Sequence, residues 1–228
     1  MVDTNDIDRS IRKFVFDYFL EHAVAPSAPE IAAGLELPLS QVKDSLRTLD
    51  EAHHLKLLEG TSRILMAFPF SAIATPFRVI RGDGRRYFAN CAWDSIAFHP
   101  MLNEPVRVDS FCDRCGKAVG FRLEAGKGVR IEGPLPSVLL SLPATQWWSD
   151  ITRTCSNTMV FLGAEEVRSI GSDANAPPEP GRITVDQVVE MSVPIYSGKL
   201  NRDYDRPPAS VIQATFRRVG LTGSYWQL

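Results

Sequence analysis

The sequence predicts an α+β fold, in which a small helical domain precedes a larger domain of mainly antiparallel strands with flanking helices. Apolar residues recur at helical spacing over roughly the first fifty positions. After residue 75, short apolar runs alternate with turn residues, which is typical of strands. With 228 residues and 44% hydrophobic content, the chain can bury a substantial core. We therefore divide it into two domains, residues 1–75 and 76–228.

The first domain begins with three predicted helices. Ile7–Glu21 has apolar residues at helical spacing and a polar opposite face. Pro29–Ala33 predicts a short second helix, with proline in its first turn and Gly34 as its stop. A third helix begins near Ser40. His53 and His54 should lie at its solvated end.

Two strands, Leu55–Leu58 and Arg63–Phe68, should form a hairpin after these helices. Three helices and a hairpin are the element order of a winged helix, a module that often binds DNA. However, residues 1–75 contain seven basic and eleven acidic residues, and the whole chain has a formal charge of −2. Since DNA binding needs a positive surface, we expect a winged-helix-like module that packs against protein, and no nucleic-acid partner.

The second domain should consist of short strands interrupted by one clear helix that begins near Cys91. The predicted strands are Phe77–Ile80, Arg86–Phe88, Val106–Ser110, Ala118–Leu123, Val129–Glu132, Val138–Leu142 and Thr158–Leu162. Further helices are predicted at Gln146–Ile151, Val185–Val193 and Ser210–Val219. The stretch Gly171–Gly181 has the composition of an exposed loop.

The sequence shows neither a secretory signal pattern nor an apolar run of about 18 residues that would cross a membrane. We therefore expect a cytoplasmic protein with no membrane partner, as a monomer or a homodimer. Its four cysteines are too few for a disulfide scaffold. In a reducing compartment they are metal-binding, catalytic or inert.

A thiol and a carboxylate, Cys91 and Asp94, lie three positions apart where an apolar strand gives way to a helix. Residues at this spacing share a helix face, so both groups can address one ligand atom. Asn90 is a plausible N-cap, which would place Cys91 in the first turn, where a thiolate is favoured. The pair is a candidate for soft-metal or nucleophilic chemistry.

The other cysteines permit several interpretations. Cys112 and Cys115 form a CxxC motif, which is half of a structural zinc site. Cys91 and Cys155 would have to converge on it to complete four ligands, so we do not expect structural zinc. A redox CxxC should open a helix, whereas Gly116 and the alternation after it favour a strand. A turn with two partly buried thiols is the simplest interpretation.

The segment Arg86–Phe98 (RYFANCAWDSIAF) resembles the part of the alkylmercury (organomercurial) lyase family that contains its first catalytic cysteine and its catalytic aspartate. Val106–Cys112 resembles the stretch with a further, non-catalytic cysteine, and Asp150–Phe161 resembles the segment with the second catalytic cysteine. That family also has a winged-helix module ahead of its catalytic domain. The resemblance implies that residues 76–228 form an alkylmercury-lyase-like catalytic domain.

The resemblance implies that Cys91, Asp94 and Cys155 are catalytic and that the same three residues hold the mercury of substrate and product. The spacing from Asp150 would put Ser156 in place of the second cysteine, while the spacing to Phe161 favours Cys155, which we prefer. Cys115 lies outside the family pattern. Cys112 and Cys115 are therefore possible secondary thiols.

The implied reaction is protonolysis of a carbon–mercury bond. Mercury binds thiolates far more strongly than oxygen or nitrogen ligands. Cys91 would capture the organomercurial substrate, Cys155 would add a second sulfur, and Asp94 would deliver a thiol proton to carbon. The products would be a hydrocarbon and bound Hg(II), which small thiols or a mercuric reductase would accept. No cofactor is required.

Two alternatives stay open on the sequence. One is a metal- or thiol-sensing transcriptional regulator with a DNA-binding winged helix, and the other is a lyase-like protein that only sequesters metal. Several aromatic residues near the motif could line a dry pocket, although core packing is the simpler role for each. They are Phe88, Trp93, Phe98, Trp147 and Trp148.

Overall fold

A computed structural model describes residues 5–124, 129–130, 136–163 and 181–228. The helices are α1 (Asp6–His22), α2 (Ala28–Leu35), α3 (Leu39–Glu51), α4 (Ala92–Leu102), α5 (Ile151–Thr158), α6 (Val185–Tyr196) and α7 (Ala209–Arg218). The strands are β1 (Lys56–Leu57), β2 (Ile64–Ala67), β3 (Phe70–Ser71), β4 (Arg78–Arg81), β5 (Arg86–Phe88), β6 (Val106–Phe111), β7 (Ala118–Leu123), β8 (Val129–Arg130), β9 (Ser137–Leu140), β10 (Met159–Leu162) and β11 (Arg182–Thr184). Helices and antiparallel sheets confirm the α+β class.

Local sequence signals explain where the first helices begin, but not where α2 ends. The side chains of Asn5 and Ser27 cap α1 and α2, each in a reciprocal capping box. Gly34, the predicted stop, lies inside α2, which ends at Leu35 and is followed by Glu36 as a left-handed C-cap. A Cβ at Gly34 would lie 2.4 Å from the ring of Phe14. The glycine therefore allows α1 and α2 to pack closely.

The strands form three antiparallel sheets in the described part of the chain. Their orders are β1-β2-β3, β5-β4-β6-β7-β8 and β10-β9-β11. In the five-stranded sheet, Val106 and Val108 pair with Leu123 and Phe121, and all four side chains are buried. This alternation leaves the other face polar and fixes the register. Buried apolar residues form one cluster that extends from Ile11 to Trp226.

Most predicted elements are present within a few residues, but one predicted helix is absent. Gln146–Ile151 is not a helix; a short 3-10 turn ends at Gln146, and helix α5 begins at Ile151. The Asp150 side chain accepts a hydrogen bond from the Arg153 N–H, which starts the helix after the tryptophans rather than on them.

The sequence patterns also missed two very short strands, β3 and β11, which complete the edges of their sheets. Of the predicted strand Val129–Glu132, the first two residues form β8, and the last two lie outside the described residues. The predicted loop Gly171–Gly181 lies outside them too, apart from its last residue. No helix in the described ranges has the length and hydropathy needed to span a membrane.

Arg12 connects the first helix to the C-terminal part of the chain. Its guanidinium group is buried and donates hydrogen bonds to the carbonyl oxygens of Lys199, at 2.7 Å, and Asn201. Burial lowers the pKa of Arg12 to about 10. Because a buried cation requires such partners, α1 and the loop after α6 hold each other in position.

His54 is buried, contrary to the expectation of a solvated position, and only 5% of it is exposed. Burial, with the positive charges of Lys199 and Arg12 nearby, lowers its pKa from 6.5 to about 3. His54 follows the end of α3, and its ring lies 6.1 Å from the ring of Tyr204, so this end of the third helix packs on protein rather than facing water.

We predict acid destabilisation through His54. Between pH 6.5 and about 3, the unfolded chain binds a proton at this residue and the folded chain does not. The free energy of unfolding should therefore fall as the pH drops below 6.5, by about 2 kcal/mol at pH 5. Urea unfolding of His54→Leu should show a flatter pH dependence. His22→Leu, which removes a surface histidine, is the control, and equal slopes for both variants would contradict the prediction.

Candidate active site

Cys91 lies at the junction of β5 and α4 and is itself the N-cap of the helix. Its sulfur accepts a hydrogen bond from the Asp94 N–H at 3.3 Å. Asn90, the predicted N-cap, instead donates its side-chain amide to the carbonyl oxygen of Pro69 and to Asp94 Oδ2, at 3.1 Å each. The prediction was wrong by one residue because the amide of Asn90 is used to hold the carboxylate.

Cys155 meets this pair from a distant helix. It lies on α5, and one ligand atom from each of Cys91, Asp94 and Cys155 falls within 4.8 Å of the others. All three residues are buried. Ser156 is exposed, and its hydroxyl donates to the carbonyl oxygen of Thr152 on its own helix. Cys155, and not Ser156, therefore faces Cys91.

The carboxyl group of Asp94 has polar contacts with several side chains of the site. Its Oδ1 accepts the hydroxyl of Tyr196 at 2.6 Å, and its Oδ2 accepts the amide of Asn90 and lies 3.5 Å from the sulfur of Cys91. Burial raises the pKa of Asp94, while these hydrogen bonds and the charge of Lys199 act in the opposite direction. A buried carboxyl group with a raised pKa holds its proton more readily than an ordinary aspartate does, which suits it to proton transfer.

Both thiols of the site are stabilised in the protonated form. Burial raises the pKa of Cys91 well above its ordinary value, and its hydrogen bond to Cys155 and the charge of Asp94 add to this. For Cys155, the hydrogen bond from Cys91 lowers the pKa, but burial and Asp94 outweigh it and the pKa is raised. The helix N-terminus alone had suggested a thiolate at Cys91. Desolvation outweighs that local effect.

The sulfurs face a pocket with mainly apolar walls. Its apolar lining includes Phe68, Trp93, Trp147, Trp148, Ile151, Met159, Ile195 and Ile212. Three of the five aromatic residues singled out in the sequence line the pocket, whereas Phe88 and Phe98 do not. Phe98 packs in the core against Phe70. The thiols themselves are buried, and the walls beside them are mainly apolar.

Charged groups also line this pocket. Lys199 is 4% exposed, and its ammonium lies 4.7 Å from the centre of the Tyr196 ring. Burial lowers the pKa of Lys199 to about 7, although the charge of Asp94 raises it. Arg206 lies 4.2 Å above the ring of Trp148, whose other contacts include His53. The pocket therefore combines mainly apolar walls with charged groups.

Tyr196 and Lys199 are the site residues that the sequence patterns did not suggest. Helix α6 continues past Val193 and through Pro194 to Tyr196, and Lys199 follows in the next turn. Nothing in the local sequence around Tyr196 relates it to Asp94, about a hundred residues earlier. The remaining cysteines, Cys112 and Cys115, are not part of the three-residue cluster.

Comparison with known proteins identifies the family to which this fold and site belong. A profile of the alkylmercury lyase (MerB) family matches residues 70–197, more than half of the chain. The chain therefore belongs to the alkylmercury lyase family, whose members are enzymes that cleave carbon–mercury bonds.

Individual relatives agree with this assignment. The chain is 25% identical to an alkylmercury lyase of Staphylococcus epidermidis over 162 residues, which cover 71% of this chain and 70% of that protein. A crystal structure of the mercury-bound form of MerB2 superposes with a TM-score of 0.63 at 16% identity. The superposition covers 87% of this chain and 94% of that chain, and it shows a shared fold.

We predict that Tyr196 holds the Asp94 carboxylate. In Tyr196→Phe, loss of the 2.6 Å hydrogen bond should raise the pKa of Asp94 further, because this bond favours the charged form. Carbon-13 NMR titration of the aspartate carboxyl measures the change, with Asp94→Asn to assign the signal. Tyr87→Phe also loses a hydroxyl hydrogen bond, to Leu20, and is the control. An unchanged Asp94 titration in Tyr196→Phe would refute the assigned contact.

Proposed function

We propose that this enzyme cleaves organomercurials by protonolysis at Cys91, Asp94 and Cys155. The observation that supports the proposal is the approach of two buried thiols and one buried carboxyl group to within 4.8 Å of one another. Two sulfurs at this separation match the preference of mercury for thiolate ligands. A storage site would need the thiols but not the carboxyl group beside them.

The reaction begins with a substrate in which mercury is bound to carbon and to a carrier thiolate. Cys91 forms a sulfur–mercury bond, and its proton leaves with the carrier as free thiol. Cys155 then forms the second sulfur–mercury bond, and its proton passes to Asp94. The raised thiol pKa values mean that these protons are present in the resting site.

Cleavage follows when Asp94 gives that proton to the mercury-bound carbon. The carbon–mercury bond breaks, its electron pair forms the new carbon–hydrogen bond, and Hg(II) remains on Cys91 and Cys155. Because the carboxyl group lies buried beside both sulfurs, it is the proton source in this mechanism. Small thiols or a mercuric reductase then accept Hg(II).

We propose further that residues 1–75 form a winged-helix module that packs against the catalytic domain. His53 and Phe68 from this segment line the pocket, and Arg12 binds the loop that contains Lys199. A DNA-binding regulator is less well supported, since Arg47 on α3 is paired with the neighbouring Asp44. The excess of acidic residues opposes DNA binding in the same segment.

The direct test is incubation with phenylmercury and excess monothiol, with benzene and inorganic mercury both measured. The native enzyme should release both, and Cys91→Ala should release neither. Asp94→Asn should form a one-to-one phenylmercury adduct by mass spectrometry while benzene release falls about 10²–10⁴-fold. Tight mercury binding without benzene in the native protein would support sequestration instead.

We predict that Cys155 and Ser156 differ sharply in their effect on turnover. Cys155→Ala removes the second sulfur and should abolish most benzene release, whereas Ser156→Ala removes only an exposed hydroxyl. Ser156→Ala is thus the matched control, one residue away on the same helix. Full activity in Cys155→Ala would move the second sulfur's role to another residue.

A further inference from the structure

A second thiol pair lies outside the active site, in the tight turn between β6 and β7. The Cys112 N–H donates to the carbonyl oxygen of Lys117, and the Gly116 N–H donates to the carbonyl oxygen of Cys112, both at 2.8 Å. Gly116 has φ of +69°, a left-handed conformation that glycine adopts without strain. These constraints fix the backbone that presents Cys112 and Cys115.

The two sulfurs lie together, because the Cys115 thiol donates a hydrogen bond to the sulfur of Cys112. The Cys112 side chain packs against Gly163, where an added Cβ would lie 3.8 Å from the sulfur. Cys112 is buried and Cys115 is exposed, so a ligand can approach through Cys115.

The turn is separate from the active site. The Asp113 N–H donates to the Phe161 carbonyl oxygen at 2.9 Å, so the turn lies against β10 near its end. Met159, at the start of the same strand, contacts the sulfur of Cys91. From Met159 to Gly163, an extended chain covers about 13 Å. One ion therefore cannot bind both thiol pairs at once.

We propose that Cys112 and Cys115 form a second soft-metal site that binds Hg(II) through two sulfurs. A Hg(II) ion carried by two small thiolates exchanges them for Cys112 and Cys115. Two sulfur–mercury bonds form, two break, and the protein's two protons leave with the released thiols. No oxidation or reduction occurs.

The donor set favours mercury over zinc. Structural zinc needs four ligands, whereas Hg(II) is satisfied by two thiolates. Among the described residues, Cys91 and Cys155 are committed to the active site and cannot complete a tetrahedron here. The motif also lies between two strands instead of opening a helix, which disfavours a redox CxxC.

The test measures inorganic Hg(II) bound to the full-length chain by native mass spectrometry, after desalting from excess 2-mercaptoethanol. The native protein should retain about two equivalents, and Cys91→Ser/Cys155→Ser about one. Adding Cys115→Ser to that double variant should remove the remaining ion. Because Cys115 is exposed, this replacement leaves the packed core untouched.

Cys112→Ser in the same double variant separates a paired site from an ordinary surface thiol. It should also lose the ion, and retention there would mean that Cys115 acts alone and would overturn the proposal. Absence of bound mercury in Cys91→Ser/Cys155→Ser would overturn it as well. Retention of one zinc ion per two chains after addition of Zn(II) would also overturn the proposal. The test measures binding of Hg(II) and not turnover. A negative result would therefore leave the proposed lyase activity, which the benzene assay tests, unchanged.

Discussion

A carboxyl group buried in an apolar interior is the constraint on which this structure depends. Asp94 is 2% exposed, and a charged carboxylate without partners there would cost several kcal/mol. The hydroxyl of Tyr196 and the amide of Asn90 satisfy its oxygens, and the ammonium of Lys199 lies behind the Tyr196 ring. The start of α4 and the end of α6 must therefore meet at one point.

The same burial sets the chemistry of the thiols. Cys91 and Cys155 are close to each other and to a carboxyl group, and desolvation favours the neutral form of all three. The two thiols therefore hold their protons beside the carboxyl group, on the sulfur atoms that a soft metal would bind. In the turn at Cys112, burial also raises the pKa of the thiol, but hydrogen bonds from backbone N–H groups outweigh burial, and the pKa of Cys112 is lowered.

The acidic N-terminal segment contributes residues that support the site and line its pocket. Arg12 reaches across to the carbonyl oxygen of Lys199, while His53 and Phe68 form part of the pocket wall. The buried apolar cluster continues from these helices into the sheets without interruption among the described residues. Displacing the N-terminal helices would therefore disturb Lys199 and the pocket together.

The sequence by itself determined most of the elements and the main chemical groups, since the periodicity of apolar residues shows which face of each element is buried. The spacing of Cys91 and Asp94 is also local, and their shared helix face followed from it. Only the tertiary structure brought Tyr196 to Asp94, turned Cys155 inward with Ser156 outward, and gave the N-cap to Cys91. Periodicity does not say which buried faces meet, and a pKa depends on desolvation and on neighbours distant in the chain.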